Sequence, residues 1–73
     1  MDDKVKAIIF RICSECNVPV AEVIGTSRKK NVMSVRRIIY RNLYFKLGHS
    51  QTAIAEIFGR DHSSVSRVIN NPR

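Results

Sequence analysis

Five polar side chains stand in a row before the last apolar stretch of this chain, and their types suit hydrogen-bond recognition. They are Arg60, Asp61, His62, Ser63 and Ser64. A guanidinium donates, a carboxylate accepts, and imidazole and hydroxyl groups can do both. At the start of a helix such groups can contact base edges in the major groove of DNA, where a carboxylate accepts from the amino group of cytosine. No nucleophile and base pair up in a way that supports catalysis, so we expect no enzyme, no metal site and no cofactor.

Two of these residues have a structural alternative. Asp61 can cap a helix by accepting the backbone N–H of Ser63 or Ser64, whether or not it also contacts a base. His62 can be an ordinary exposed side chain. We expect His62 to contact a base or a phosphate, and for Asp61 capping and base contact both stay open.

The residues around this polar row predict two short amphipathic helices joined by a turn at Gly59. Ser50 can cap the first of them, and Ala55 is small enough for the two helices to cross closely. The inward faces contain Ile54, Ile57, Phe58, Val65, Val68 and Ile69. This spacing is typical of a helix-turn-helix. The outward face of its second helix contains His62, Ser63, Ser66, Arg67 and Asn70.

Three more helices are expected upstream, which makes the fold all-α. Their expected ranges are residues 3–15, 19–24 and about 31–47, the third starting at Asn31 or Val32. Asn17 and Pro19 end the first helix, with Pro19 serving as the first residue of the second. Gly25 closes the second helix as a left-handed cap, and Gly48 ends the third. Residues 71–72, an Asn-Pro pair, end the last helix. Residues 1–73 are therefore expected to form a single domain, a five-helix bundle that contains the helix-turn-helix.

The first and third helices carry apolar stripes at helical spacing. The stripe residues are Val5, Ile8, Ile9, Ile12, Cys13 and Cys16 in the first helix and Val32, Val35, Ile38, Ile39, Leu43 and Leu47 in the third. A Cys-x-x-Cys pair can also indicate a redox site or half of a zinc site. Because both thiols continue the stripe, we expect Cys13 and Cys16 to be buried structural residues. Phe10 and Phe45 are the large apolar residues expected at the surface.

Positive charge is concentrated in the second part of the chain. The net charge is +7: residues 1–25 hold three Lys and Arg against four Asp and Glu, and residues 26–73 hold ten against two. Residues 26–31, which we call the basic loop, include Arg28, Lys29 and Lys30. Arg36, Arg37 and Arg41 lie off the apolar stripe of the third helix, and we expect a second basic surface there. This distribution favours a polyanion such as nucleic acid, with a membrane surface or simple solubility as alternatives.

The helix-turn-helix and the basic loop together resemble the C-terminal DNA-binding domain of DnaA, the family that initiates bacterial chromosome replication. The family signature Arg-Asp-His-Thr-Thr-Val is matched by residues 60–65, with two serines in place of two threonines. Residues 20–24 resemble the short second helix of the family. Arg28 falls where the family places a minor-groove arginine. The resemblance implies a DnaA C-terminal domain-like (Trp repressor-like) fold, with the last helix in the major groove and the basic loop in the minor groove.

The chain departs from the family pattern in the turn and in the signature. The family commonly has two glycines before the signature, whereas this chain has only Gly59, as in ordinary helix-turn-helix repressors. Ser63 lacks the methyl group with which a threonine can contact thymine. These 73 residues also contain no Walker-type phosphate-binding loop, so we expect no ATP-driven opening of DNA.

The expected function is sequence-specific binding of double-stranded DNA at a DnaA-box-like site, in replication or transcription control. The residues expected to contact DNA are Arg28, Lys29, Lys30, Arg36, Arg37, Gln51, Thr52, Arg60, Asp61, His62, Ser63, Ser64 and Arg67. One alternative is a repressor-like regulator from a phage or mobile element with an unrelated operator. Another is a basic domain that binds an acidic protein. We expect a monomer in the cytoplasm, associated with the nucleoid, with no membrane and no small-molecule substrate as partners.

Overall fold

The fold is a bundle of five α-helices. The computed structural model describes residues 3–25 and 27–70. Its helices are α1 (Asp3–Cys16), α2 (Val20–Ile24), α3 (Lys30–Phe45), α4 (Gln51–Phe58) and α5 (His62–Asn70). The described residues include no strand, which confirms the all-α prediction. None of these helices is long and apolar enough to cross a lipid bilayer.

Helix α3 lies at the centre of the bundle and packs against each of the other four helices. Ile39 and Leu43 of α3 are fully buried, and so are residues from every other helix. These partners are Val5, Val23, Ile54 and Val65. Tyr40 of α3 meets Phe58 of α4 edge to face, with ring centroids 4.9 Å apart, an arrangement that aromatic pairs favour. The apolar stripes predicted from helical spacing therefore form one core around α3.

The helix-turn-helix forms as its local sequence predicts. The Ser50 hydroxyl accepts the N–H of Ala53 at 3.1 Å and so caps α4. Gly59 ends α4 in the left-handed conformation, with φ 62° and ψ 38°, which glycine adopts without steric penalty. The carbonyl of Asp61 accepts the N–H of Val65 at the start of α5. Capping by the Asp61 carboxylate stays a prediction.

The upstream helix ends follow the predicted pattern in part. Asn17, with φ 55°, ends α1 in the left-handed conformation. Pro19 precedes α2 instead of being its first residue, and α3 runs from Lys30 to Phe45, about two residues earlier than expected. The Asn-Pro pair at residues 71–72 lies outside the described residues.

The predicted role of Gly25 as a left-handed cap is wrong. Its φ of −78° and ψ of −157° are extended, and its N–H donates to the carbonyl of Ala21 at 2.9 Å. The lack of room for a side chain, and not a positive φ, explains why a glycine occupies this position. A Cβ at this position would lie 2.9 Å from the carbonyl oxygen of Ala21, closer than carbon and oxygen normally approach.

Two residues predicted for the apolar stripes are exposed. Cys16 is the last residue of α1, and beyond it the chain turns at Asn17 so that Val18 enters the core instead. Ile38 is 43% exposed because the buried face of α3 widens toward Arg36 and Tyr40, on the other side of the helix. Phe10 and Phe45 are exposed, as predicted.

Replacing Gly59 with alanine should destabilise the fold through backbone strain alone. No atom lies within 4 Å of the position that a Cβ would occupy, so nothing opposes the methyl group except the positive φ. The expected loss is about 1–2 kcal/mol in the free energy of unfolding, measured by urea denaturation. Gly59→Asn is the matched control and should lose less, because asparagine tolerates this conformation. Equal losses for both variants would contradict this explanation.

The two cysteines should react with iodoacetamide at very different rates. Burial, with a smaller contribution from Cys16, raises the pKa of the Cys13 thiol above its usual value, so at neutral pH Cys13 holds even less reactive thiolate than an ordinary cysteine. The native chain should therefore gain one alkyl group quickly, at Cys16, and the second only after denaturation. Mass spectrometry measures this directly. Cys16→Ser should abolish the fast reaction, and fast labelling of that variant would contradict the buried position of Cys13.

Candidate nucleic-acid interface

The start of α5 presents a continuous polar surface. Asp61, His62, Ser63 and Ser64 are all exposed, whereas Val65 on the opposite face is fully buried. Further along the helix Arg67 is exposed. The apolar face thus anchors α5 to the bundle, and the groups that can contact base edges project outward.

The start of α4 lies beside the start of α5. An open cleft between them is lined by Tyr44, Gly48, His49, Ser50, Gln51, Thr52 and His62. Thr52 is exposed and Gln51 is half-buried. The first N–H groups of a helix have no partner within the helix and attract anions. The helix start therefore supplies anion-binding groups beside His62. Sequence reasoning missed Tyr44 and His49, and their proximity to the signature depends on how α3 meets α4.

The cations of the basic loop lie at the surface, and the last of them, Lys30, is the first residue of α3. Arg28, Lys29 and Lys30 are exposed. Lys29 Nζ lies 3.0 Å from a carboxylate oxygen of Glu22, and such surface ion pairs contribute little to stability. Within the described residues, the side chains of Arg28 and Lys30 make no hydrogen bond or ion pair. These two cations are therefore available to a polyanion.

Arg36 occupies a different place from the one predicted. It was expected on an outer basic surface, but it is only 9% exposed. Its Nε donates to the carbonyl of Val23 at 3.0 Å, and its Nη2 lies 3.1 Å from the carbonyl oxygen of Glu22. These carbonyls belong to the last turn of α2, where helix carbonyls lack partners and the helix dipole favours a cation. Burial lowers the pKa of Arg36, with a further contribution from the nearby Arg60.

Arg60 and Arg41 also donate to backbone carbonyls. Arg60 Nη2 donates to the carbonyl of Gly25, and the side chain is half-buried. Arg41 Nη1 donates to the carbonyl of Ile69 at 2.9 Å, in the last turn of α5, and its guanidinium lies over the ring of Phe45. The predicted second basic surface is therefore reduced to Arg37, which is half-buried.

Arg36 and Arg60 meet at one carbonyl oxygen. Arg36 Nη2 lies 3.3 Å from the carbonyl oxygen of Gly25, the same atom that accepts from Arg60. The basic loop begins directly after Gly25, and α5 begins two residues after Arg60. The loop and the start of α5 are thus neighbours, although more than thirty residues separate them in the sequence.

Replacing Arg36 with methionine should strongly destabilise the chain. Methionine keeps much of the side-chain volume but leaves the carbonyls at the end of α2 without their donor. The expected loss is about 2–4 kcal/mol in the free energy of unfolding, measured by urea denaturation. Lys30→Met is the matched control and should change stability by less than about 0.5 kcal/mol, since Lys30 is exposed. Similar small losses for both variants would contradict the structural role of Arg36.

Comparison with known proteins gives one family. The chain matches the family model of the bacterial DnaA protein helix-turn-helix over residues 5–71. It is 36% identical over 63 residues to the chromosomal replication initiator protein DnaA of Wolinella succinogenes, covering 85% of this chain and 14% of that protein. It is 41% identical over 66 residues to the DnaA of Nautilia profundicola, covering 88% of this chain and 15% of that protein. The chain therefore spans about one seventh of the length of these relatives. No solved structure matches it significantly.

The matched region includes all but the first two residues of α1, the whole of α2 to α5, the basic loop and the signature at residues 60–65. The match agrees with the all-helical fold, in which residues 61–64 of the signature are exposed at the start of α5. This chain belongs to the bacterial DnaA helix-turn-helix family.

Proposed function

We propose that this chain binds duplex DNA at a DnaA-box-like sequence, with α5 in the major groove and the basic loop in the minor groove. One observation carries the proposal. The exposed residues 61–64 of the signature lie next to a loop of exposed cations, and Arg60 joins the two through the carbonyl of Gly25. One element can contact base edges while the other follows a narrow, electronegative minor groove.

The proposed base contacts come from the first turn of α5. Asp61 accepts from the amino group of a cytosine, and His62 meets a neighbouring base edge or phosphate. Ser63 contacts a base through its hydroxyl but offers no methyl group to thymine. Arg67 extends the contact along the groove. The preferred site is therefore expected to tolerate more variation opposite Ser63 than the box of a threonine-containing relative.

The proposed backbone and minor-groove contacts come from the basic loop and from the helix starts. Arg28 enters the minor groove, and Lys29, Lys30 and Arg37 neutralise phosphates. At α4 the Ser50 hydroxyl takes the N–H of Ala53, which leaves the groups at Gln51 and Thr52 for a phosphate oxygen. Ser64 serves the same purpose at α5. Arg36 and Arg60 are left out of the proposed contacts because carbonyls engage their guanidinium groups.

The proposed biological role is in the control of chromosome replication. It is supported by the two relatives, which are named chromosomal replication initiator proteins. The matched family is a helix-turn-helix family and not a catalytic one. We propose that residues 1–73 act as a single, monomeric DNA-binding domain located at the nucleoid in the cytoplasm. A role in transcription control would use the same DNA-binding surface.

A titration by fluorescence anisotropy tests this proposal. The chain is titrated against a DnaA-box duplex and a scrambled duplex of equal length, each at two salt concentrations. We expect preference for the box at both salt concentrations. His62→Ala should reduce that preference by about 1–3 kcal/mol, because a base contact is lost. Lys30→Ala should weaken binding to both duplexes alike, and the salt dependence should correspond to the release of about one counterion fewer.

Lys6→Ala provides a matched control for charge. Lys6 lies on α1, outside the proposed interface, so its loss should leave the box preference and the salt dependence nearly unchanged. Equal affinity for both duplexes would contradict recognition of a DnaA box and would favour the alternative of an unrelated operator. Absence of binding to either duplex would exclude the DNA-binding proposal and favour an acidic protein partner.

A further inference from the structure

One backbone carbonyl ties the two proposed DNA-contacting elements together. The carbonyl oxygen of Gly25 accepts from Arg36 on α3 and from Arg60 in the turn before α5. Both donors carry a full positive charge, and hydrogen bonds from charged donors are stronger than neutral ones. The carbonyl oxygen that follows α2 therefore receives hydrogen bonds from both α3 and the helix-turn-helix.

Hydrogen bonds hold the backbone on both sides of Arg28. Before Arg28, Arg36 Nη2 also lies 3.2 Å from the carbonyl oxygen of Ser27. After Arg28, the carbonyl of Lys29 accepts the N–H of Met33 at 2.9 Å, in the first turn of α3. The Arg28 side chain itself is exposed. Its backbone is thus held while its guanidinium stays available.

Arg60 links this loop to α5. Its backbone N–H donates to the carbonyl of Ala55 at 2.8 Å, which fixes the residue to the end of α4. Its side chain donates to a second, more distant carbonyl, that of Gly25. Asp61 and His62 follow immediately in sequence. This side chain therefore links the loop, which Arg36 also holds, directly to the start of α5.

We propose that Arg60 is a positioning residue that sets the distance between the basic loop and α5, and that it makes no direct contact with DNA. This inference rests on the proposed function but goes beyond it, because it removes a signature arginine from the contact set and couples the two grooves. When Arg60 holds Gly25, Arg28 reaches the minor groove at the same time as Asp61 and His62 reach the major groove. Without Arg60 the loop shifts, and Arg28 no longer contributes fully.

The alternative is a direct phosphate contact by Arg60. The two roles give different results when Arg60 and Arg28 are changed together. A positioning residue acts mainly through Arg28, the loop side chain proposed to enter a groove, so most of its effect disappears once Arg28 is absent. A direct contact is lost whether or not Arg28 is present.

A double-mutant cycle on the full chain tests the proposal, with R60A, R28A and the double variant titrated against the box duplex. We expect R60A alone to weaken binding by about tenfold, similar to R28A, as for the loss of one good contact. In the R28A background, R60A should change affinity by less than about twofold and leave the salt dependence unchanged. The matched control is R67A, which should weaken binding by the same factor with and without Arg28.

A second measurement needs no DNA. Amide hydrogen exchange at residues 27–29 should become faster in R60A, because the carbonyl of Gly25 loses a donor, and should stay unchanged in R67A. G25A gives an independent variant, since its Cβ would displace the backbone from the carbonyl of Ala21 without removing a cation. It should also weaken binding only when Arg28 is present.

Equal losses from R60A in both Arg28 backgrounds would overturn the inference, and so would unchanged exchange at residues 27–29. Thermal denaturation shows whether each variant is folded. If R60A is unfolded at the titration temperature, the same double-mutant cycle with G25A in place of R60A tests the inference. Failure of the proposed function would look different. The wild-type chain would then bind neither duplex, while the exchange measurement would still report whether Arg60 holds the loop.

Discussion

The rest of the interface depends on the hydrogen bonds that the buried guanidinium of Arg36 donates to backbone carbonyls. Helix α2 has five residues, too few to be stable as an isolated helix. Its last carbonyls would be left without partners in the interior, and Arg36 supplies donors to them from α3. Because the basic loop begins where α2 ends, this single side chain determines where the loop starts. A cation in the core is retained here because it satisfies several buried acceptors at once.

The described arginines consequently have different roles. Arg36, Arg41 and Arg60 donate to backbone carbonyls, whereas Arg11, Arg28 and Arg67 are exposed and Arg37 is half-buried. Net charge therefore overstates the positive surface available to a polyanion. This division of roles among the arginines also explains how a small domain can hold a charged loop in one place. The carbonyl-bound arginines supply order, and the exposed cations supply the electrostatic attraction that favours nucleic acid.

Arg60 follows directly after the turn of the helix-turn-helix and donates to the carbonyl of Gly25. Gly59 alone takes the left-handed conformation between α4 and α5, and the next residue already directs its side chain toward α2. A chain with the family's two glycines would place its signature arginine one residue further from α4. Gly59 and Arg60 together thus connect the end of α4 to the segment that begins the basic loop.

Much of this structure followed from sequence, because the forces that form a helix are local. The apolar spacing predicted the helices and most of the core, Ser50 predicted its cap, and the signature predicted an exposed start of α5. The role of an arginine could not be predicted in the same way. Arg36 and Arg28 are both cations in a basic segment, and only the packing of α2 against α3 decides that one meets carbonyls and the other faces solvent. Gly25 shows the same limit, since its carbonyl accepts from Arg36 and Arg60, which lie far away in the sequence. Periodicity determines which face of a helix is apolar, whereas tertiary structure determines what that face and its edges meet.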